Sequence, residues 1–196
     1  MRLPHSPSHS GWQALFALTV LLWSTLPARA ERLPLKFYST ADGLPHNIIY
    51  KIVRDSRGFL WFCTFEGLSR FDGYSFTTYG VAQGLPTQVV KDLLETRDGQ
   101  YWVATDAGLC RFNPNGISRK SPTATRSLVA QPMFVTHVPG TDRLSKLVTS
   151  VLQDRAGRIW CGTFGGLYRL EQQDGHVGFT HIPSIDRVMS LTSTET

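Results

Sequence analysis

From residue 48 onward the chain alternates short apolar runs with turn residues. Apolar segments at 48–53, 89–94 and 147–152 each run into a short polar step that ends in glycine: Asp55-Ser56-Arg57-Gly58, Arg97-Asp98-Gly99 and Asp154-Arg155-Ala156-Gly157. Such a tight connection needs positive φ, which glycine adopts without steric cost. A second apolar run follows at 60–64, 101–105 and 159–163, each carrying a tryptophan. A second glycine then turns the chain into a third run at 68–71 and its counterparts. In the first copy Asp72-Gly73 turns it once more into 74–79, where aromatic and polar residues alternate with period two. The pattern predicts four antiparallel strands in about 40 residues, the size of a propeller blade.

The centre of this pattern is a 14-residue unit written three times: GFLWFCTFEGLSRF from Gly58, GQYWVATDAGLCRF from Gly99 and GRIWCGTFGGLYRL from Gly157. The first two copies start 41 residues apart and the second and third 58 apart. The shared positions are Gly58/Gly99/Gly157, Trp61/Trp102/Trp160, Thr64/Thr105/Thr163, Gly67/Gly108/Gly166, Leu68/Leu109/Leu167, Arg70/Arg111/Arg169 and an apolar residue at Phe71/Phe112/Leu170. The fold class is therefore all-β. Three blades are expected at about 44–79, 85–138 and 147–182, with the start of a fourth at 187–196, so the ring is expected to be incomplete. Each blade must bury its faces against its neighbours, which makes the three Trp core residues, with a stacked sugar or aromatic ligand as the alternative. The repeated Arg is expected to fix a turn through a salt bridge or hydrogen bond, with a channel lining as the alternative.

Two further segments complete the reading. Gly43-Leu44-Pro45 recurs as Gly84-Leu85-Pro86 ahead of the first strand of a blade, and residues 35–39 are expected to be a lead-in strand. The longer spacing before copy three is taken up at 113–132, a stretch rich in Ser, Thr, Pro and cations, as an exposed loop should be.

Residues 1–30 stand apart. One cation at Arg2, an apolar run at 12–23 and Ala28-Arg29-Ala30 describe a secretory signal peptide, with cleavage expected between Ala30 and Glu31. An uncleaved anchor is the alternative, although the run is shorter than the roughly 20 residues that span a bilayer. Cleavage removes Arg2 and Arg29, leaving 18 basic against 15 acidic residues. A balance so close to neutral argues against a nucleic-acid partner. Cys63, Cys110 and Cys161 have no metal spacing, and an odd number cannot pair completely within the chain. They read as small core residues, with a disulfide as the alternative. No catalytic, metal or cofactor-binding residue is assigned. His46, His137, His176 and His181 occupy no equivalent positions, and Asp55 and Asp154 sit where Asp stabilises a turn.

The three Trp units, with DGLPHNIIYKIVRD ahead of the first and GLPTQVVKDLLE ahead of the second, resemble the two-component regulator propeller repeat. Copy three fits that family's pattern almost throughout. Copies one and two carry Cys63 and Ala104 where it prefers Gly, and copy two has Thr96 in place of the Asp at Asp55 and Asp154. The resemblance implies a periplasmic sensor region, usually followed by a small β-sandwich, one membrane helix and a histidine kinase or, in some members, a diguanylate cyclase. It implies a carbohydrate or other small-molecule ligand, a homodimer in the full-length context, membrane attachment only through a downstream segment, and no enzymatic activity in these residues. The chain is accordingly expected to stop ahead of the membrane and output segments. A secreted propeller enzyme or scaffold acting on carbohydrate is the alternative.

Overall fold

The computed structural model describes residues 34–116, 132–173, 175–183 and 185–192. The expected signal peptide, most of the 113–132 insertion and residues 193–196 lie outside them. The chain forms two compact units, Met1–Phe37 and Tyr38–Thr196. Of the first only residues 34–37 are described, and they are exposed and without regular structure.

The second unit holds three four-stranded antiparallel sheets. Blade 1 contains β1 (Ile49–Arg54), β2 (Leu60–Thr64), β3 (Gly67–Phe71) and β4 (Phe76–Tyr79). Blade 2 contains β5 (Val90–Glu95), β6 (Tyr101–Thr105), β7 (Gly108–Phe112) and β8 (Phe134–His137). Blade 3 contains β9 (Val148–Gln153), β10 (Ile159–Thr163), β11 (Gly166–Gln173) and β12 (His176–Ile182). In each sheet the strands neighbour one another in chain order. The all-β blade architecture expected from the repeat is thus present, and the described residues do not close a ring.

The register repeats as faithfully as the sequence. Trp61 pairs with Arg70, Trp102 with Arg111 and Trp160 with Arg169. The inner strands β1, β5 and β9 lie side by side, and each shifts register at the same place, at Tyr50, Lys91 and Thr149. Asp92 ties the three together: Lys51 of β1 reaches its carboxylate at 2.6 Å and the Val151 backbone N–H of β9 donates to it at 3.1 Å. Burial pushes this carboxyl above its ordinary value, against the opposing pull of Lys51.

The blades pack face to face and form two separate cores. Between blades 1 and 2 lie Trp61, Cys63, Leu68, Leu93, Val103 and Phe112, with neighbours. Between blades 2 and 3 lie Trp102, Ala104, Leu109, Val151, Cys161 and Tyr168, with neighbours. The outer faces lack such cover. Ile52 of blade 1 is 54% exposed, where its counterparts Leu93 and Val151 are 2% and 4% exposed. All three cysteines are buried and free, and burial raises their thiols, that of Cys110 to about 11. The disulfide alternative is not realised.

The lead-in segment departs from expectation. Residues 35–39 form no strand; Ser39 instead caps a one-turn helix at Thr40–Asp42, its side chain accepting from the Ala41 N–H while Asp42 accepts from the Ser39 N–H. Ser-x-x-Asp offers the backbone a local cap that competes with pairing. The second Gly-Leu-Pro follows the same device at Val81–Gln83, and Leu44 and Leu85 are buried beneath the two turns. Ahead of blade 3 a short helix, α1 (Arg143–Lys146), capped by Asp142, takes this place. Val188 is buried against Gly162, and its N–H donates to Thr163 at 2.9 Å.

Candidate functional site

Most repeated residues are committed to the fold. Gly58, Gly99 and Gly157 hold φ of 91°, 80° and 83° in the turns after the inner strands. Gly67, Gly108 and Gly166 combine positive φ with close approach. A Cβ there would lie 2.9, 2.6 and 2.6 Å from the carbonyl oxygens of Tyr79, His137 and Ile185. Between these glycines and the Trp strands, each Thr closes the turn: the hydroxyls of Thr64, Thr105 and Thr163 donate to the carbonyls of Gly67, Gly108 and Gly166 at 2.7–2.9 Å. Leu68 and Leu109 are fully buried and Leu167 is half-buried.

The tryptophans have a second role that the turn reading of Asp55 did not supply. The Trp61 indole N–H donates to the Asp55 carboxylate at 2.9 Å, and Trp160 does the same to Asp154 at 2.9 Å. Asp55 also accepts from the backbone N–H groups of Arg57 and Phe59 and, across the blade boundary, from the Tyr101 hydroxyl at 3.0 Å. Burial alone would raise the Asp55 carboxyl, but the bonds from Trp61 and Tyr101 outweigh it and hold the group below its ordinary value. The Trp160 bond likewise holds Asp154 down at about 2. Tyr101, by burial and by donating to Asp55, is pushed up to about 12. In copy two Thr96 replaces the Asp, its hydroxyl turns to Asp98 and the Gln100 carbonyl, and among the described residues the buried Trp102 N–H has no partner.

A groove of about 500 Å³ opens where the turn of blade 1 meets that of blade 2. Arg57, Glu95, Tyr101, Arg111 and Asn113 are among its walls. Glu95 is held by the Ser56 N–H and hydroxyl, both at 2.6 Å. Arg57 donates to the Tyr101 hydroxyl at 3.1 Å and lies 3.6 Å from Asp55. Of the repeated residues, Gly99, Arg111 and Phe112 line this groove. The other groove residues gave no signal in the sequence, because they converge from turns about one repeat apart. Among the described residues no group of three His, Cys, Asp or Glu side chains could hold a metal ion. Of the histidines in residues 31–196, His176 and His181 share β12 while His46 and His137 lie on other segments, with His137 beside Trp102 and His181 against Tyr168.

Comparison with known proteins settles what the repeat is. Residues 43–66, 84–107 and 143–165 each match the two component regulator propeller family. These three stretches are two component regulator propeller repeats. Each matched stretch runs from the turn ahead of an inner strand to the Thr-closed end of the Trp strand. No curated protein sequence matches the chain. Among solved structures, it is similar to the extracellular domain assigned to the hybrid two component system BT3049 of B. thetaiotaomicron, at 20% identity and TM-score 0.52, over 69% of this chain and 17% of that one. The extracellular domain assigned to the one component system BT4673 of the same organism aligns at 22% identity and TM-score 0.53, over 77% and 18%. The catalytically inactive H270A virginiamycin B lyase of Staphylococcus aureus aligns at 14% identity and TM-score 0.50, over 72% and 44%. These likenesses establish a shared fold. The propeller repeats here span less than a fifth of the length of the two signalling structures.

Proposed function

We propose that this chain is the ligand-sensing propeller region of an exported signalling protein of the two-component type. The observation that carries the reading is the division of labour in the repeat. Glycine, threonine, leucine and tryptophan positions are committed to turns and cores, while a polar groove at a blade boundary joins Arg111 to side chains that differ from copy to copy, Arg57, Glu95 and Asn113 among them. Family repeats joined to a variable groove suit a scaffold that presents a binding surface, because function sits in sites carried on folds. The basic start and apolar run of residues 1–30 support export, with the propeller on the outer side of the membrane.

In this reading the chain binds and does not catalyse. A ligand acts by favouring one arrangement of paired subunits, and it shifts that equilibrium only by its differential affinity for the two arrangements. Among the described residues no helix is long and apolar enough to cross a bilayer.

Two experiments test the proposal. Alkaline phosphatase fused after Thr196 should be active in a Gram-negative host, and loss of that activity on deleting residues 1–30 should follow; an inactive fusion contradicts export. In-frame removal of residues 31–196 from the gene should abolish the stimulus response of the encoded signalling protein. An unchanged response contradicts sensing.

A further inference from the structure

The repeated arginine behaves differently in each blade. Arg70 lies over the Phe59 ring at 4.6 Å, and Arg169 pairs with Glu171 at 2.7 Å. In blade 2 both kinds of partner are replaced: Gln100 stands at the position of Phe59, and Asn113 at the position of Glu171. Arg111 is exposed and, among the described residues, makes no hydrogen bond or ion pair. Its guanidinium forms part of the groove between blades 1 and 2.

The same groove holds acceptor capacity. Glu95 accepts from Ser56 and Tyr101, and a carboxylate has about four acceptor positions, so capacity remains. Arg57 also lines the groove, but it donates to Tyr101 and lies 3.6 Å from the Asp55 carboxylate, so part of its charge is already matched within the protein.

We infer that this groove binds a small zwitterion of the α-amino acid class, its carboxylate on Arg111 and its ammonium on Glu95. Arginine meets a carboxylate with two parallel donors, and an ammonium brings a charged donor to a carboxylate with an acceptor position to spare. A simple anion would meet the charge of Glu95, and a neutral ligand would leave Arg111 unmatched. The volume lies within the range of small-molecule sites, roughly 300–1,000 Å³. The inference deepens the sensing proposal and rests on it for its biological use, while the site itself stands on geometry.

The test is calorimetric titration of the purified full chain with the free α-amino acids, followed by the N-acetyl derivative of the tightest binder. At least one amino acid should bind, and blocking its ammonium should weaken binding about tenfold or more. Arg111→Gln and Glu95→Gln should each weaken it by about the same factor, while Arg169→Gln leaves it unchanged. Equal binding of the N-acetyl form would mean a plain anion site and overturn the inference. So would unchanged affinity in Arg111→Gln, or no heat from any amino acid at millimolar concentration. Should Arg111→Gln fail to fold, the comparison of the free and acetylated ligands on the unaltered chain decides the question. Because binding is read without signalling, a silent titration beside a lost response in the deletion strain would sink this site and leave the sensor reading standing.

Discussion

The two blade boundaries are built from the same repeat and close in different ways. Between blades 1 and 2 a buried carboxylate, Asp55, gathers the Trp61 indole, the Tyr101 hydroxyl and two backbone N–H groups. Between blades 2 and 3 the corresponding residues are Thr96 and Ile159, and the Trp102 N–H is buried with nothing among the described residues to accept it. Both boundaries bury a full indole, Trp61 and Trp102 each being 0% exposed. The second boundary has polar ties of its own, from the Val151 N–H to Asp92 and from the Arg97 N–H to Gln153. What the first boundary adds is a buried carboxylate that joins the indole to the next blade.

The sharpest way to break that contrast is to remove the hub. Asp55→Ala leaves an indole N–H and two backbone donors without an acceptor and the Tyr101 hydroxyl with Glu95 alone, and should cost about 3–5 kcal/mol in urea unfolding. Asp154→Ala, on the half-exposed Trp160, should cost clearly less in the same measurement. A second test compares the two indoles. Trp61→Phe creates a cavity and strips Asp55 of a donor, whereas Trp102→Phe creates the same cavity and removes an orphan. Trp61→Phe should therefore be the more destabilising by about 1–2 kcal/mol.

The contrast can also be erased. Thr96→Asp with Asp98→Ala rewrites the turn of blade 2 as the Asp-Arg-Ala-Gly of blade 3 and removes the neighbouring acid that would repel the new carboxylate. It should give Trp102 its acceptor and stabilise the chain by about 1 kcal/mol, a rise of roughly 2–4 °C in Tm. The smallest effect is on the acid limb of a pH titration. Because the folded Asp55 carboxyl lies below its unfolded value of about 3.9, its stabilisation is complete above that value and is lost as pH falls through the folded one. Asp55→Asn should make the loss of stability below about pH 4 shallower.

Much of this was legible in the chain itself. Three Trp in one frame, glycines at fixed offsets and strand-length apolar runs define blades because each feature answers a local need: a turn with positive φ, a close approach to a carbonyl, a face to bury. The Asp six residues before Trp61 and before Trp160, with Thr at the same place before Trp102, marks the difference between the boundaries, although a sequence shows the turn role of Asp more readily than its bond to an indole. Residues 35–39 were misleading because an apolar run beside Ser39 fits a strand as well as an approach to a capped turn. The groove was hidden for a different reason. Ser56 meets Glu95, and Arg57 meets Tyr101, across separations of 39 and 44 residues, which only the stacking of one blade on the next brings together.

The most direct measurement is the NMR position of the indole N–H resonances in the isotope-labelled chain. Trp61 and Trp160 should lie downfield, as protons held by carboxylates do, and Trp102 should lie apart from them and move to join them in the Thr96→Asp, Asp98→Ala variant. If Trp102 already shares the downfield position of the other two, or stays in place when the carboxylate is supplied, the account of two differently closed boundaries is contradicted.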